Sequence, residues 1–200
     1  MDDGTNRWHG RSGGRTMQAR GRLPAADPGR ALLCGVALAI GTSAWAAGPD
    51  LALTAALGQN EHVRKAGVVL GFTRAEPLWQ GAQWRLGLRH ELELAAWRVP
   101  HARNILELGY SPVLRLERPD ATGDGVFFVE GSIGVRLLSH TRLSPTRSLS
   151  TAFQFADMLG LGWQWGRSTL GLRLQHISNG DIKKPNPGIN FAQVYYRYRF

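Results

Sequence analysis

His176 and Ser178 stand two residues apart at the end of the segment Leu170-Gly171-Leu172-Arg173-Leu174-Gln175-His176-Ile177-Ser178-Asn179. A serine hydroxyl is a weak nucleophile at neutral pH. Acyl transfer needs a base within hydrogen-bond reach of it and a third group that orients the imidazole. The three leucines alternate with Gly171, Arg173 and Gln175, the period of a β-strand, whose side chains change face at every residue. His176 and Ser178 therefore share the leucine face. If that face meets lipid, isolated polar groups on it are costly, and a base and nucleophile held among acyl chains point to ester chemistry on a lipid. The His-x-Ser pattern alone is weak. It gains weight from the apolar face before it and from the Asn-, Gly- and Pro-rich loop 179–188 after it.

The elements that must position this pair are strands. Period-two alternation recurs from about Leu51 to Phe200, and no long uninterrupted apolar stretch follows Ile40, which predicts a barrel rather than helices. The fold class is all-β, an eight-stranded antiparallel transmembrane β-barrel of the outer membrane, with strands at about 50–59, 63–74, 82–98, 103–117, 125–139, 150–165, 167–178 and 189–200. In the third, Trp84, Leu86, Leu88, Leu92 and Leu94 oppose Gln83, Arg85, Arg89, Glu91 and Glu93, with His90 as the exception. In the fifth, Val129, Ile133, Val135 and Leu137 oppose Phe128, Glu130, Ser132 and Arg136. Parity alone does not separate a soluble lipocalin-like barrel from a membrane barrel. Long strands, Trp and Tyr near strand ends suited to interfacial girdles, and the aromatic terminus Val194-Tyr195-Tyr196-Arg197-Tyr198-Arg199-Phe200 favour the membrane. Arg85, Arg89, Glu91, Glu93, Glu130, Arg136 and Arg173 then fall inside and must pair there, because side chains fill a lumen of this size. No channel is expected.

With an even strand number and both termini in the periplasm, the seventh strand ends outside, and His176 and Ser178 face the outer leaflet. Counting back from Phe200 through Tyr198, Tyr196 and Val194 puts Asn190 on the same outward face, absent a bulge. His176, Ser178 and Asn190 form the predicted catalytic group.

The first quarter of the chain reads as an extension and a cleavable export signal, residues 1–46, ahead of the barrel at 47–200. The apolar run Ala31–Ile40 after Arg30 is too short to span a bilayer as a helix, and Ala44-Trp45-Ala46 has the form of a signal-peptidase site. Met17 competes with Met1 as the start. Cys34, the single cysteine, lies in the signal, so thiol and disulfide chemistry are excluded from the mature chain. Residues 1–46 hold six Arg and three Asp, and their removal leaves 18 Lys+Arg against 12 Asp+Glu. These charges are scattered, which argues against nucleic acid and suits an anionic lipid surface.

His176-Ile177-Ser178-Asn179-Gly180, Lys183, Pro185-Asn186 and Gly188-Ile189, with the terminal strand, resemble the lipid A 3-O-deacylases of the outer membrane, the PagL family. The resemblance covers roughly the last 30 residues; upstream only length, strand count and pattern agree. It implies a serine esterase on an eight-stranded barrel that removes the 3-hydroxyacyl chain from the 3-position of lipid A in lipopolysaccharide. His176 would be the base, Ser178 the nucleophile, and Asn179, Gly180 and Asn186 the oxyanion and substrate-binding positions. Turn chemistry is the competing account of Asn179 and Gly180. One departure is plain: Asn190 stands where the best-known family pattern has glutamate, with Asp181 as the other group that could orient the histidine. No metal or other cofactor is expected. Lys183 and Lys184 are candidates for lipid A phosphates against ordinary solvation, and a homodimer is compatible with this reading. The alternatives are a non-catalytic barrel serving as adhesin or structural element, and a different outer-membrane lipid enzyme, a phospholipase or an acyltransferase. His62, His90, His101 and His140 lack a comparable setting and are read as structural.

Overall fold

A computed structural model describes residues 48–59 and 62–200. The predicted signal and its cleavage site lie outside the described residues. Among the described residues eleven strands are present: β1 Asp50–Gly58, β2 Arg64–Thr73, β3 Trp79–Gln80, β4 Arg85–Arg98, β5 Ile105–Pro119, β6 Gly125–Leu138, β7 Arg142–Ser144, β8 Arg147–Ser148, β9 Phe153–Trp165, β10 Ser168–Ser178 and β11 Ile189–Arg199. Eight of them pair antiparallel in the ring β1, β2, β4, β5, β6, β9, β10, β11, and β11 closes on β1 from Asp50↔Arg199 to Gly58↔Phe191. Closure removes sheet edges, so each of these eight strands has partners on both sides where no water reaches the backbone. The two-residue β3 adds a short hairpin to the start of β4, and β7 and β8 form a separate hairpin between β6 and β9. All eight predicted strands exist. The third begins at Arg85 instead of 82, because Gly81 N–H bonds Trp84 O at 2.8 Å and turns the chain there. Gln83 and Trp84 thus belong to a turn rather than to the wall.

The leucine faces point outward. Leu53, Leu94, Ile133, Leu159, Leu172 and Leu174 are all exposed on the outer wall, the apolar band of a membrane-spanning barrel. Most exposed aromatic side chains gather at one rim: Trp79, Phe127, Trp163, Trp165, Tyr196, Tyr198 and Phe200 lie at the terminal rim, where β1 begins and β11 ends. At the opposite rim Phe153 and Phe155 are half-buried on the outer wall, and Trp97 turns inward and is fully buried. The expectation of interfacial Trp and Tyr girdles therefore holds at the terminal rim.

The interior is layered. Nearest the terminal rim, Arg89 and Arg197 pair with Asp50 at 2.9 and 3.2 Å, Arg173 grips Glu91 through two nitrogens at 2.9 and 3.0 Å, and Arg173 Nε reaches Glu130 at 2.7 Å. Above them, Lys65 pairs with Glu93 and Glu107 at 3.0 and 2.9 Å, and Arg136 with Glu107 at 2.7 Å. The last layer is apolar: Trp97, Ile105, Leu143, Leu149, Ile177 and Phe191 stopper the barrel beneath its second rim. The predicted internal charge pairing is present, with one correction. Arg85 is 44% exposed and pairs with Glu117 at the terminal rim, because β4 starts there. Glu91 touches Arg89, Arg173 and Arg197. Glu91→Ala should therefore leave buried guanidinium charge unbalanced and cost about 3–5 kcal/mol, read as a lower urea midpoint for loss of heat-modifiable gel mobility in micelles.

Candidate functional site

The second rim is built from the connections 59–63, 99–104, 139–152 and 179–188. β10 delivers His176 and Ser178 to it. Both face outward, His176 exposed and Ser178 half-buried, while Ile177 between them is buried in the apolar stopper. The β10–β11 register has no slip and sets His176 opposite Asn190. Their side chains meet, with His176 Nδ1 and Asn190 Oδ1 2.6 Å apart. Asn190 Nδ2 in turn donates to Gln59 Oε1 at 2.8 Å. Since the Asn190 oxygen faces the ring and its amide hydrogens face Gln59, Nδ1 must carry the proton, and Nε2 keeps its lone pair for a hydroxyl. Ser178 lies about 7 Å along the strand from His176, and among the described residues no hydrogen bond joins them. The structure thus brings His176 and Asn190 into contact and leaves Ser178 on the same face beside them.

The loop 179–188 is held from below. Asn179 is completely buried. Its Nδ2 donates to Leu149 O at 3.0 Å and Lys183 O at 2.7 Å, and its backbone N–H donates to Asn186 Oδ1 at 3.0 Å. All three of its hydrogens are used, so Asn179 builds the loop and is not a free donor. Gly180 N–H has no partner among the described residues. Asn186 Nδ2 gives one hydrogen to Asp181 Oδ1 at 3.0 Å and retains a second. Asp181 is engaged within the loop. It pairs with Lys184 at 2.8 Å, and the hydrogen bonds from Lys184 and Asn186 hold its carboxyl below the usual range. Lys183 is exposed.

Four contributors escape a reading of the chain as a linear motif. Gln59, at the end of β1, enters only when the barrel closes. Asp157 on β9 is the cross-strand neighbour of His176 on the side away from Asn190, exposed on the outer wall, so that Gln59, Asn190, His176 and Asp157 cross the wall at one level. Its signal was available: on β9 it shares the face of Leu159, Leu161 and Trp163. Phe155, the cross-strand neighbour of Ser178, stacks edge-on with Phe153 at 5.2 Å and forms the aromatic wall beside the hydroxyl. The β7–β8 hairpin is a clasp: Arg147 Nη2 donates to Gly188 O at 2.7 Å and Ser150 Oγ to Pro185 O at 2.6 Å. Gly188 takes φ +56° and lies so near the His176 ring that a Cβ there would stand 2.6 Å from Cε1.

A base with a fixed tautomer, a nearby serine, spare amide donors and a lipid-facing wall form a set suited to acyl transfer without any charged ligand cluster. Comparison with known proteins agrees in kind. The family model described as Lipid A 3-O-deacylase (PagL) matches residues 64–199. Lipid A deacylase PagL of Bordetella bronchiseptica is 36% identical over 131 residues, 62% of this chain and 70% of the relative. Lipid A deacylase PagL of Pseudomonas aeruginosa is 33% identical over 92 residues, 45% and 51% respectively. A crystal structure of the outer membrane enzyme PagL superposes with a TM-score of 0.69 at 23% identity, covering 76% of this chain and 99% of that one, a likeness of fold. With a family model matched over most of the barrel, this chain belongs to the lipid A 3-O-deacylase (PagL) family of outer-membrane β-barrels.

Proposed function

We propose that the chain hydrolyses the ester that links a 3-hydroxyacyl group to the 3-position of lipid A, working from the outer leaflet with Ser178 as nucleophile and His176 as general base. The observation that carries this reading is the 2.6 Å contact of His176 Nδ1 with Asn190 on the outer wall beside Ser178. In the neutral ring this contact makes Nε2 the acceptor, and a χ1 rotation of Ser178 brings the hydroxyl toward it; such bonds are often open without substrate. Ser178 Oγ attacks the ester carbonyl as its proton passes to Nε2. The tetrahedral oxyanion takes hydrogen bonds from Gly180 N–H and the spare hydrogen of Asn186 Nδ2. The carbon–oxygen bond to the sugar breaks as Nε2 returns the proton to the leaving oxygen. Water, deprotonated by the same nitrogen, then attacks the acyl-serine and frees a 3-hydroxy fatty acid.

Loop charge supports the outward orientation of this rim. Its connections carry Arg103, Arg142, Arg147, Lys183 and Lys184 against Glu61 and Asp181, whereas connections 74–84, 120–124 and 166–167 at the terminal rim carry Arg74 and Arg167 against Glu76, Asp120 and Asp124. The cationic end suits a leaflet of phosphorylated glycolipid. Mass spectrometry of lipid A from cells expressing the chain tests the activity. Loss of one 3-hydroxyacyl group is expected; unchanged lipid A with barrel present in the outer membrane, or a gain of an acyl chain, refutes it.

Asn190 supplies tautomer control without full charge. Asn190→Leu should lower kcat by about 10²-fold or more, since the ring loses its acceptor. Asn190→Asp should hold kcat or raise it up to about tenfold, because a carboxylate also stabilises imidazolium. Both are read with lipid A in detergent micelles.

A further inference from the structure

Arg64 and Arg98 face each other across the β2–β4 ladder at the second rim, both outward and exposed. Like charges directly opposite one another destabilise a sheet, and neither arginine has an acid partner or any other polar partner among the described residues. Arg103, in the connection that follows β4, is exposed and equally unpaired. Of the other cations of the rim, Arg142 is bound to Pro145 O, Arg147 to Gly188 O and Lys184 to Asp181, while the Lys183 ammonium likewise has no partner among the described residues. One level deeper, Ala55, Ala66 and Ala96 are registered across β1, β2 and β4, all outward. The next level down is bulky again, with Leu53, Val68 and Leu94. The wall thus carries a furrow one side chain deep, headed by two facing guanidiniums.

We propose that this furrow is a second lipid site, in which a phosphate-bearing lipid of the surrounding leaflet sets its phosphate between Arg64 and Arg98 and lays an acyl chain over the three alanines. Guanidiniums bind phosphate oxygens in a forked, bidentate way that suits a headgroup at this level, and the bound anion relieves the repulsion that the ladder otherwise carries. The site is separate from the ester site. Passing from β10 through β11 and β1, Arg64 is three strands from His176 and Arg98 four, about 14–19 Å around the wall. The inference needs the membrane barrel but not the hydrolysis.

Native mass spectrometry of the full chain folded in detergent tests it, with dioleoyl phosphatidic acid as probe, diacylglycerol as the phosphate-free lipid and inorganic phosphate as the lipid-free anion. One phosphatidic acid per chain is expected, with no adduct from diacylglycerol. Arg64→Gln/Arg98→Gln should weaken binding at least about tenfold. Ala66→Leu/Ala96→Leu, which fills the furrow and keeps both arginines, should weaken it as well. Ser178→Ala should bind as the native chain does. Equal binding by the arginine variant, or binding lost in Ser178→Ala, overturns the proposal. So does inorganic phosphate displacing the lipid at equal concentration while the leucine variant binds normally, since that outcome describes a free-anion site. Heat-modifiable mobility shows that each variant is folded, and because the readout is binding, an inactive native enzyme would leave this test intact.

Discussion

Ser178→Ala and His176→Ala are each expected to reduce kcat on lipid A by about 10⁴-fold or more, and the double variant by no more than the worse single one, since nucleophile and base act as a unit. KM should change little, because neither side chain offers the apolar surface or fixed positive charge that acyl chains and phosphates would bind. Neither change carries a large folding cost. The Ser178 hydroxyl makes no hydrogen bond among the described residues, and the His176 ring lies on the outer wall, bonded among them to Asn190 alone. Loss of activity with normal heat-modifiable mobility therefore reports on chemistry. If either single variant kept more than a tenth of the native rate, the pair would be bystanders on the wall. The polar level of Gln59, Asn190 and Asp157 would then have to be searched for another nucleophile or a bound water.

Much of this was legible because membrane barrels write their topology in parity. On β10, Leu170, Leu172 and Leu174 declare the outer face, and His176 and Ser178 inherit it. On β11, counting by twos from Phe200 reaches Asn190 without a slip, since β10–β11 runs in one register along its length. What parity could not convey was closure. Gln59 meets Asn190 only because β1 joins β11, a contact between residues 131 apart. The clasp was equally hidden: Arg147 reaches Gly188 only after 139–152 folds back over the rim. The buried role of Asn179 was missed for a related reason, because turn propensity and donor capacity predict the same residue type, and only burial separates them. The inner face held a further lesson. On β10 it passes from Arg173 and Gln175 to Ile177, and on β11 from Arg197, Tyr195 and Gln193 to Phe191 and Ile189. The polar-to-apolar change toward the site rim was present in the alternation, and attention to the charged inner positions alone passed over it. That stopper is the rigid floor on which the mobile-looking chemistry of a loop can be held in place, as a catalytic group on a strand end requires.

Gly188→Ala tests whether that floor and clasp matter, and its expected effect is large. Two costs arise together. At φ +56° an alanine pays about 1 kcal/mol or more in backbone strain, and its methyl would stand 2.6 Å from His176 Cε1 and 3.0 Å from Nε2. The second cost falls on the nitrogen that takes the serine proton in the proposed mechanism, so the ring has to swing away from Asn190 or the loop has to lift. Displacement of a catalytic group by about 1 Å is worth about 10²-fold in rate, and Gly188→Ala should lose about 10²–10³-fold in kcat. Gly166→Ala separates the two costs: φ is +50° at Gly166, in the β9–β10 turn at the terminal rim, and a Cβ there meets nothing within 4 Å. That variant should be slightly less stable and fully active. Arg147→Ala removes the bond that presses Gly188 onto the ring without adding an atom, and should cost about tenfold with the pH profile of kcat unchanged. If Gly188→Ala and Gly166→Ala proved equally active, the imidazole would not be held by the loop. Its position would then rest on Asn190 alone, and Asn190→Leu would become the more damaging change of the two.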